Sequence, residues 1–148
     1  MQHTFTGVLG LAVNQNHEFL ITQRNQPETP EIHEQWQVPG GGMESGEQPE
    51  ETLHREMLEE LNLVPHILFP YPVCKTQVWQ QGSDTTSAYL MTYLITIGSQ
   101  IPRIGDPETL EYQWVKSPKL YRLKCLPLTR VFIDEAIKIC NRYSLWPQ

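Results

Sequence analysis

Between Pro39 and Leu63 the chain reads PGGGMESGEQPEETLHREMLEELNL, and this stretch limits both fold and chemistry more than any other. It carries seven acidic residues (Glu44, Glu47, Glu50, Glu51, Glu56, Glu59 and Glu60) against one basic residue, Arg55. That local balance equals the net charge of the whole chain, −6, so the rest is neutral. Gly40, Gly41 and Gly42 let the main chain approach a ligand closely. From Pro49 to Leu61 the apolar residues Leu53, Met57, Leu58 and Leu61 recur at three- and four-residue spacing, which predicts a helix. Pro49 suits its first turn, Ser45 or Glu47 its cap, and Asn62 a left-handed stop. On that helix Glu56, Glu59 and Glu60 share an arc of roughly 100° beside the apolar face. Carboxylates so spaced repel one another, and the negative end of the helix dipole adds to the cost. A hard divalent cation reverses the sign, because it binds carboxylate and phosphate oxygens together. A solvated acidic face is the alternative for such a run; the glycines directly before it argue for a site.

The spacing Gly41, five residues, Glu47, seven residues, then REMLEELNL from Arg55 to Leu63 resembles the Nudix box, G-x5-E-x7-R-E-U-x-E-E-x-G-U with U aliphatic. The one departure is Asn62 in place of the final glycine, at the helix end. The preceding WQVPG, Trp36–Gly40, resembles the family's lead-in strand. The resemblance implies an α/β Nudix fold, an α/β/α sandwich with a mixed central sheet, as a single domain over residues 1–148 with its box at 41–63. It implies an enzyme that hydrolyses the pyrophosphate bond of a nucleoside diphosphate linked to a moiety X. Glu56, Glu59, Glu60 and the Gly41 carbonyl would hold Mg²⁺, with Mn²⁺ as a substitute. Glu56 would be the general base, with Glu44 open as another. Arg55 would pair with Glu47 and orient the cluster, and Gly40, Gly41, Gly42 and Arg24 would contact substrate. For Arg24 a plain surface role is the competing reading. Glu108 or Glu111 could add a ligand, as an acid near that place does in some relatives, although solvent-facing glutamates are the commoner case.

Within that class, (d)NTPs or modified nucleotides are the expected substrates. ADP-ribose, nucleotide sugars and dinucleotides are the alternative, and an RNA 5′-end hydrolase shares the chemistry but asks for a basic path, for which Lys116–Arg130 is the sole candidate. A binding module that has lost hydrolysis is the reading of another class; every box glutamate is kept, which argues against it. A homodimer is open, as in many members of the family.

The remaining chain supplies the frame. FTGVLGLAV (5–13) and HEFLITQ (17–23) read as strands joined by Asn14-Gln15-Asn16 in a hairpin. Trp36–Val38 is a short strand. Residues 67–78 are strand-forming but broken by Pro70 and Pro72, hence an edge strand or two pieces. A turn at QQGSD precedes the strongest strand, 86–97, expected at the sheet centre. The loop 98–107 would border the cleft, before a strand at 110–115. An amphipathic helix, 129–143, presents Val131, Phe132, Ala136, Ile137, Ile139 and Cys140. Tyr89, Tyr93 and Trp114 either stack on a base or pack the core, packing being the preferred reading; His54 is expected exposed. With 148 residues one domain buries about two-thirds of its unfolded surface. Three cysteines without a C-x-x-C pair suggest neither a disulfide framework nor a zinc knuckle. No apolar run spans a membrane and no basic leader is seen, so a cytoplasmic protein is expected. A pI near 5.3 makes the chain a poor candidate for binding duplex nucleic acid by bulk charge.

Overall fold

The computed structural model describes residues 1–148. Its elements are β1 (Gln2–Ala12), β2 (Phe19–Arg24), β3 (Trp36–Gln37), β4 (Gly40–Gly42), α1 (Pro49–Leu61), β5 (His66–Ile67), β6 (Val73–Gln81), β7 (Asp84–Thr96), β8 (Thr109–Val115), α2 (Ser117–Leu120) and α3 (Thr129–Tyr143). One sheet runs β4-β1-β7, with β5 and β6 following one another along the far side of β7; β1 and β7 are parallel and the other pairs antiparallel. A second, three-stranded antiparallel sheet runs β3-β2-β8.

Side-chain alternation along β1 explains the layering. Val8 and Ala12 join Leu53, Met57 and Leu61 of α1 in one core cluster. Leu11 and Val13 join Phe132, Ile133 and Ala136 of α3 in another. Helix α1 therefore covers one face and α3 the opposite one, which is the expected α/β/α arrangement with a mixed sheet. Strand β7 is central, paired with β1, β5 and β6, and the proline-broken stretch before it becomes two pieces, as the sequence predicts.

Four local expectations need correction. Strands β1 and β2 do not form an extended hairpin. Asn14 Oδ1 accepts from the Asn16 and Glu18 N–H groups at 3.0 Å each, and one bridge, Val13–Phe19, closes the turn. The strands then part into different sheets, because β1 is held along eleven residues by β7 while β2 pairs with β8. The three glycines are not a free loop but a short strand, registered Gly7–Gly42, Val8–Gly41 and Leu9–Gly40. Helix α1 is capped at Gln48, whose N–H donates to the Glu51 carboxylate at 3.0 Å, rather than at Ser45 or Glu47. Finally, the buried face of α1 carries Thr52, Leu53, Met57, Glu60 and Leu61, whereas Leu58 points outward, 56% exposed. A carboxylate occupies the place expected for a leucine.

Candidate active site

The exchange of Leu58 for Glu60 defines the site. Glu60 is only 4% exposed. Its carboxylate accepts from the Gly40 N–H at 3.2 Å, the Thr109 hydroxyl at 3.3 Å and the Thr22 hydroxyl at 3.4 Å. These donors lie on β4, β8 and β2, so one carboxylate bridges the two sheets. Burial first, and the negative charge of Asp106 second, push its pKa up to about 8, against the pull of the Gly40 N–H. Burial likewise raises Glu56, opposed by its hydrogen bond from Arg55.

Asp106 arrives through the end of the helix. Asn62 takes the left-handed conformation, φ 56° and ψ 40°, and its N–H returns to the Leu58 carbonyl. Its side-chain amide donates to the Arg103 carbonyl at 2.8 Å. The Arg103 and Gly105 N–H groups donate to the Leu61 and Glu60 carbonyls, each at 2.9 Å. The loop between β7 and β8 thus satisfies carbonyls that a helix terminus leaves unpaired, and sets Asp106 against the cleft. Asparagine here does what the family's glycine would do for the backbone, and adds a tether.

Arg55 organises the other acids. Its Nε donates to Glu47 Oε2 at 2.7 Å and its Nη2 to Glu47 Oε1 at 2.9 Å. Nη2 also donates to the Gly42 carbonyl at 3.0 Å, and Nη1 to Glu56 at 2.9 Å and Glu59 at 3.4 Å. Glu44 is a looser partner at 3.6 Å, exposed to solvent. The Arg55 guanidinium, assisted by the Glu44 N–H, holds Glu47 down at about 2; Thr52 donates to Glu47 at 2.8 Å. The expected Arg55–Glu47 pair is therefore present. Its guanidinium reaches from the glycine strand to the acidic face of α1.

Beside these acids lies a polar cleft of about 410 Å³. Gly40, Gly41, Gly42, Glu56 and Glu60 line it on one side, and Arg24, Gln26, Gln37, Asp106, Glu108 and Thr109 among the others. Arg24 lines the cleft, with its head fixed by Gln37 Oε1 at 2.9 and 3.1 Å and by Gln26 Oε1 at 2.7 Å. A Cβ placed on Gly41 would come within 2.5 Å of the Glu56 carboxyl carbon, so residue 41 must be glycine for that carboxylate to lie where it does. Glu108 borders the cleft and Glu111 does not. Tyr89, Tyr93 and Trp114 also lie outside it. Tyr93 is buried and donates to Glu50 at 3.1 Å, Trp114 packs on the α1 cluster, and Tyr89 is 48% exposed. Sequence reasoning missed Phe5, Thr22, Gln37, Asp106 and Thr109. For Asp106 the signal was its place in a loop expected to border the cleft; for the threonines it was polarity within apolar strands.

The donor set suits a hard divalent cation: Glu56, Glu59, Glu60 and Asp106 offer only oxygens, and neither Glu60 nor Asp106 has a cationic partner. The carboxylates do not converge as a preformed cluster of three. The physical reason is local: Arg55 draws Glu56 and Glu59 toward itself, and Glu60 is turned to the two threonines.

The NUDIX domain family model matches residues 3–134. A Mycobacterium tuberculosis protein provisionally named 8-oxo-dGTP diphosphatase 2 is 30% identical over 122 residues, covering 82% of this chain and 81% of that protein. An RNA pyrophosphohydrolase of Sulfurovum is 27% identical over 115 residues, covering 71% and 70%. The crystal structure of a MutT NUDIX hydrolase from Burkholderia pseudomallei superposes with a TM-score of 0.69 at 20% identity, over 89% of this chain and 97% of that one. The chain belongs to the NUDIX domain family and is a Nudix hydrolase. Nudix hydrolases generally use divalent metal ions. No helix is long and apolar enough to cross a membrane.

Proposed function

We propose that this chain is a Mg²⁺-dependent nucleotide pyrophosphohydrolase acting on a nucleoside triphosphate or a modified form of one, releasing a nucleoside monophosphate. The observation that carries this reading is Glu60: a buried carboxylate that lines a polar cleft together with Glu56 and Asp106 and has no cation beside it. Such an arrangement is costly unless a cation completes it. Glu56, Glu59, Glu60 and the Gly41 carbonyl are the residues assigned to hold Mg²⁺, with Asp106 added to them from the β7–β8 loop. A divalent ion held there would neutralise the diphosphate and polarise its phosphorus–oxygen bonds.

The chain's own residues supply the rest. Arg24 and the side-chain-free strand Gly40–Gly42 orient the polyphosphate. Glu56, whose proton affinity is raised by burial, accepts a proton from the attacking water. Water adds to one phosphorus, the bridging oxygen leaves with the other, and the products are a nucleoside monophosphate and the remaining phosphorylated group. Arg55 holds Glu56 against Glu47 and so fixes the base, with Glu44 closing the outer side of the guanidinium. The RNA 5′-end alternative finds less support, because Arg130 of the basic segment is committed to the Leu120 and Leu123 carbonyls at 3.4 and 3.0 Å. Turnover of a panel of canonical and oxidised dNTPs, ADP-ribose and dinucleoside polyphosphates tests the reading. A dNTP hydrolysed only with Mg²⁺, and not by Glu60→Gln, is the expected result; equal rates in the variant would refute it.

A further inference from the structure

Phe5 is the one hydrophobic residue among those lining the cleft, and its place there is built rather than incidental. Its ring lies over two glycines on adjacent strands. A Cβ on Gly7 would meet Phe5 Cε1 at 2.8 Å, and one on Gly42 would meet Cε2 at 3.0 Å. Side chains at either position would lift the ring off the sheet. Phe5 stays 42% exposed. Phe5 projects from the same sheet face as Ala88, with which it is in register, and Ala88 leaves the space above it low.

The glycine strand links this ring to the acids. The Phe5 ring fills the space a side chain on Gly42 would take, the Glu56 carboxylate fills that of Gly41, and the Gly40 N–H bonds Glu60. The acids lie on the α1 side of the sheet and the ring on the other. A molecule reaching both must therefore pass β4, an edge strand whose own residues carry no side chains, between the Glu60 carboxylate at the Gly40 N–H and the Arg55 guanidinium at the Gly42 carbonyl. Phe5, Glu56 and Glu60 line one cleft, and Gly40 and Gly42 are roughly 7 Å apart along the strand, so a nucleotide has its ring and its phosphates at different points of β4.

We propose that Phe5 is a specificity-determining residue whose exposed face stacks on the nucleobase of the substrate. The phosphates then lie at Glu56 and Glu60, and the sugar crosses the glycine strand. This inference rests on the nucleotide reading above and deepens it: the ligand class is one with an aromatic ring about a ribose away from its diphosphate, not a polyphosphate on an aliphatic or inositol-like group. Stacking of a base on an aromatic side chain is worth about 1–3 kcal/mol, or roughly 5- to 150-fold in affinity.

The test is calorimetric titration with a non-hydrolysable nucleoside triphosphate, an α,β-methylene analogue, and with inorganic tripolyphosphate, both with Mg²⁺. Binding is compared for wild type, Phe5→Ala, Phe5→Trp and Phe5→Leu. The expected result is about 10-fold weaker nucleotide binding in Phe5→Ala and Phe5→Leu, recovery in Phe5→Trp, and unchanged tripolyphosphate binding throughout. With a turned-over substrate, Phe5→Ala and Phe5→Leu raise KM and leave kcat within about twofold, and Phe5→Trp restores KM. Nucleotide binding unchanged in Phe5→Ala overturns the proposal, and so does a parallel loss of tripolyphosphate binding, which would make Phe5 a support for the acids. Phe5→Leu, which keeps the bulk but not the π face, separates stacking from packing. Because the readout is binding, absence of turnover would count against hydrolysis without touching this result.

Discussion

Replacing Glu60 by glutamine is expected to weaken catalysis and, in metal-free protein, to strengthen the fold. The sign follows from linkage. The Glu60 carboxyl is raised from the ordinary 4.5 to about 8 in the folded chain. A group raised on folding binds more protons in the native state, so between those two values stability falls as pH rises, and it levels off above about 8. That window covers about 3.5 pH units at about 1.4 kcal/mol each, a total near 5 kcal/mol, of which about 4 kcal/mol falls between pH 5 and 8. Glutamine is never ionised, keeps an acceptor for the Gly40 N–H, and can donate to Thr22 or Thr109. Urea unfolding in EDTA at several pH values should show the wild type losing about 4 kcal/mol over that range and the variant losing much less, the remainder coming from Glu56. The variant should be the more stable of the two at pH 8. Magnesium should then lift the wild type, by about 2.7 kcal/mol at a hundredfold excess over its dissociation constant, and the variant less. Wild type and variant showing the same pH slope would refute the reasoning: Glu60 would then not carry the burial cost assigned to it.

Glu47 gives the opposite sign. Its pKa is depressed to about 2, so its contribution is complete above 4.5 and disappears as pH falls toward 2. Glu47→Gln should flatten the acid limb of stability between pH 4.5 and 2 followed by circular dichroism, and should lower kcat by freeing Arg55. Gly41→Ala must displace the Glu56 carboxylate, and a shift of about 1 Å in a catalytic group costs on the order of 100-fold in rate; steady-state kinetics should show that loss with a nearly unchanged Tm. Asn62→Gly restores the family's residue, relieves a left-handed asparagine and removes the bond to the Arg103 carbonyl. Denaturant titration should find the two effects nearly cancelling, within about 1 kcal/mol.

Helix α1 was legible to the residue, because a 3.6-residue period, a proline in the first turn and an asparagine at the stop are local properties. The pairing of Arg55 with Glu47 followed from the family's spacing and is present. Spacing placed Leu53, Met57 and Leu61 on the buried face but did not reveal that Glu60, and not Leu58, would join them. Leu58 and Glu60 exchanged roles because Thr22 and Thr109, 38 and 49 residues from Glu60, hold the carboxylate inward. Strands β1 and β2 parted for a similar reason: the turn between them is local, but their partners, β7 and β8, are distant in sequence. Phe5 read as one more strand residue, since the glycines that seat it belong to different strands.

The two connections flanking β7 differ in what length changes they can accept. The turn into the strand has Gly82 at its tip, where a Cβ would meet nothing within 4 Å, and its Ser83 carbonyl accepts only from the Met1 ammonium at 3.2 Å. Insertions or a reporter peptide placed there should leave the rest of the molecule undisturbed. The connection out of the strand is anchored at Gln100, Arg103 and Gly105, all to the end of α1 or the residues after it. It behaves less as a loop than as a splint. Adding or deleting even one residue between Arg103 and Thr109 would carry Asp106 away from Glu60, so in descendants of this chain that segment should keep its length while the Gly82 turn drifts.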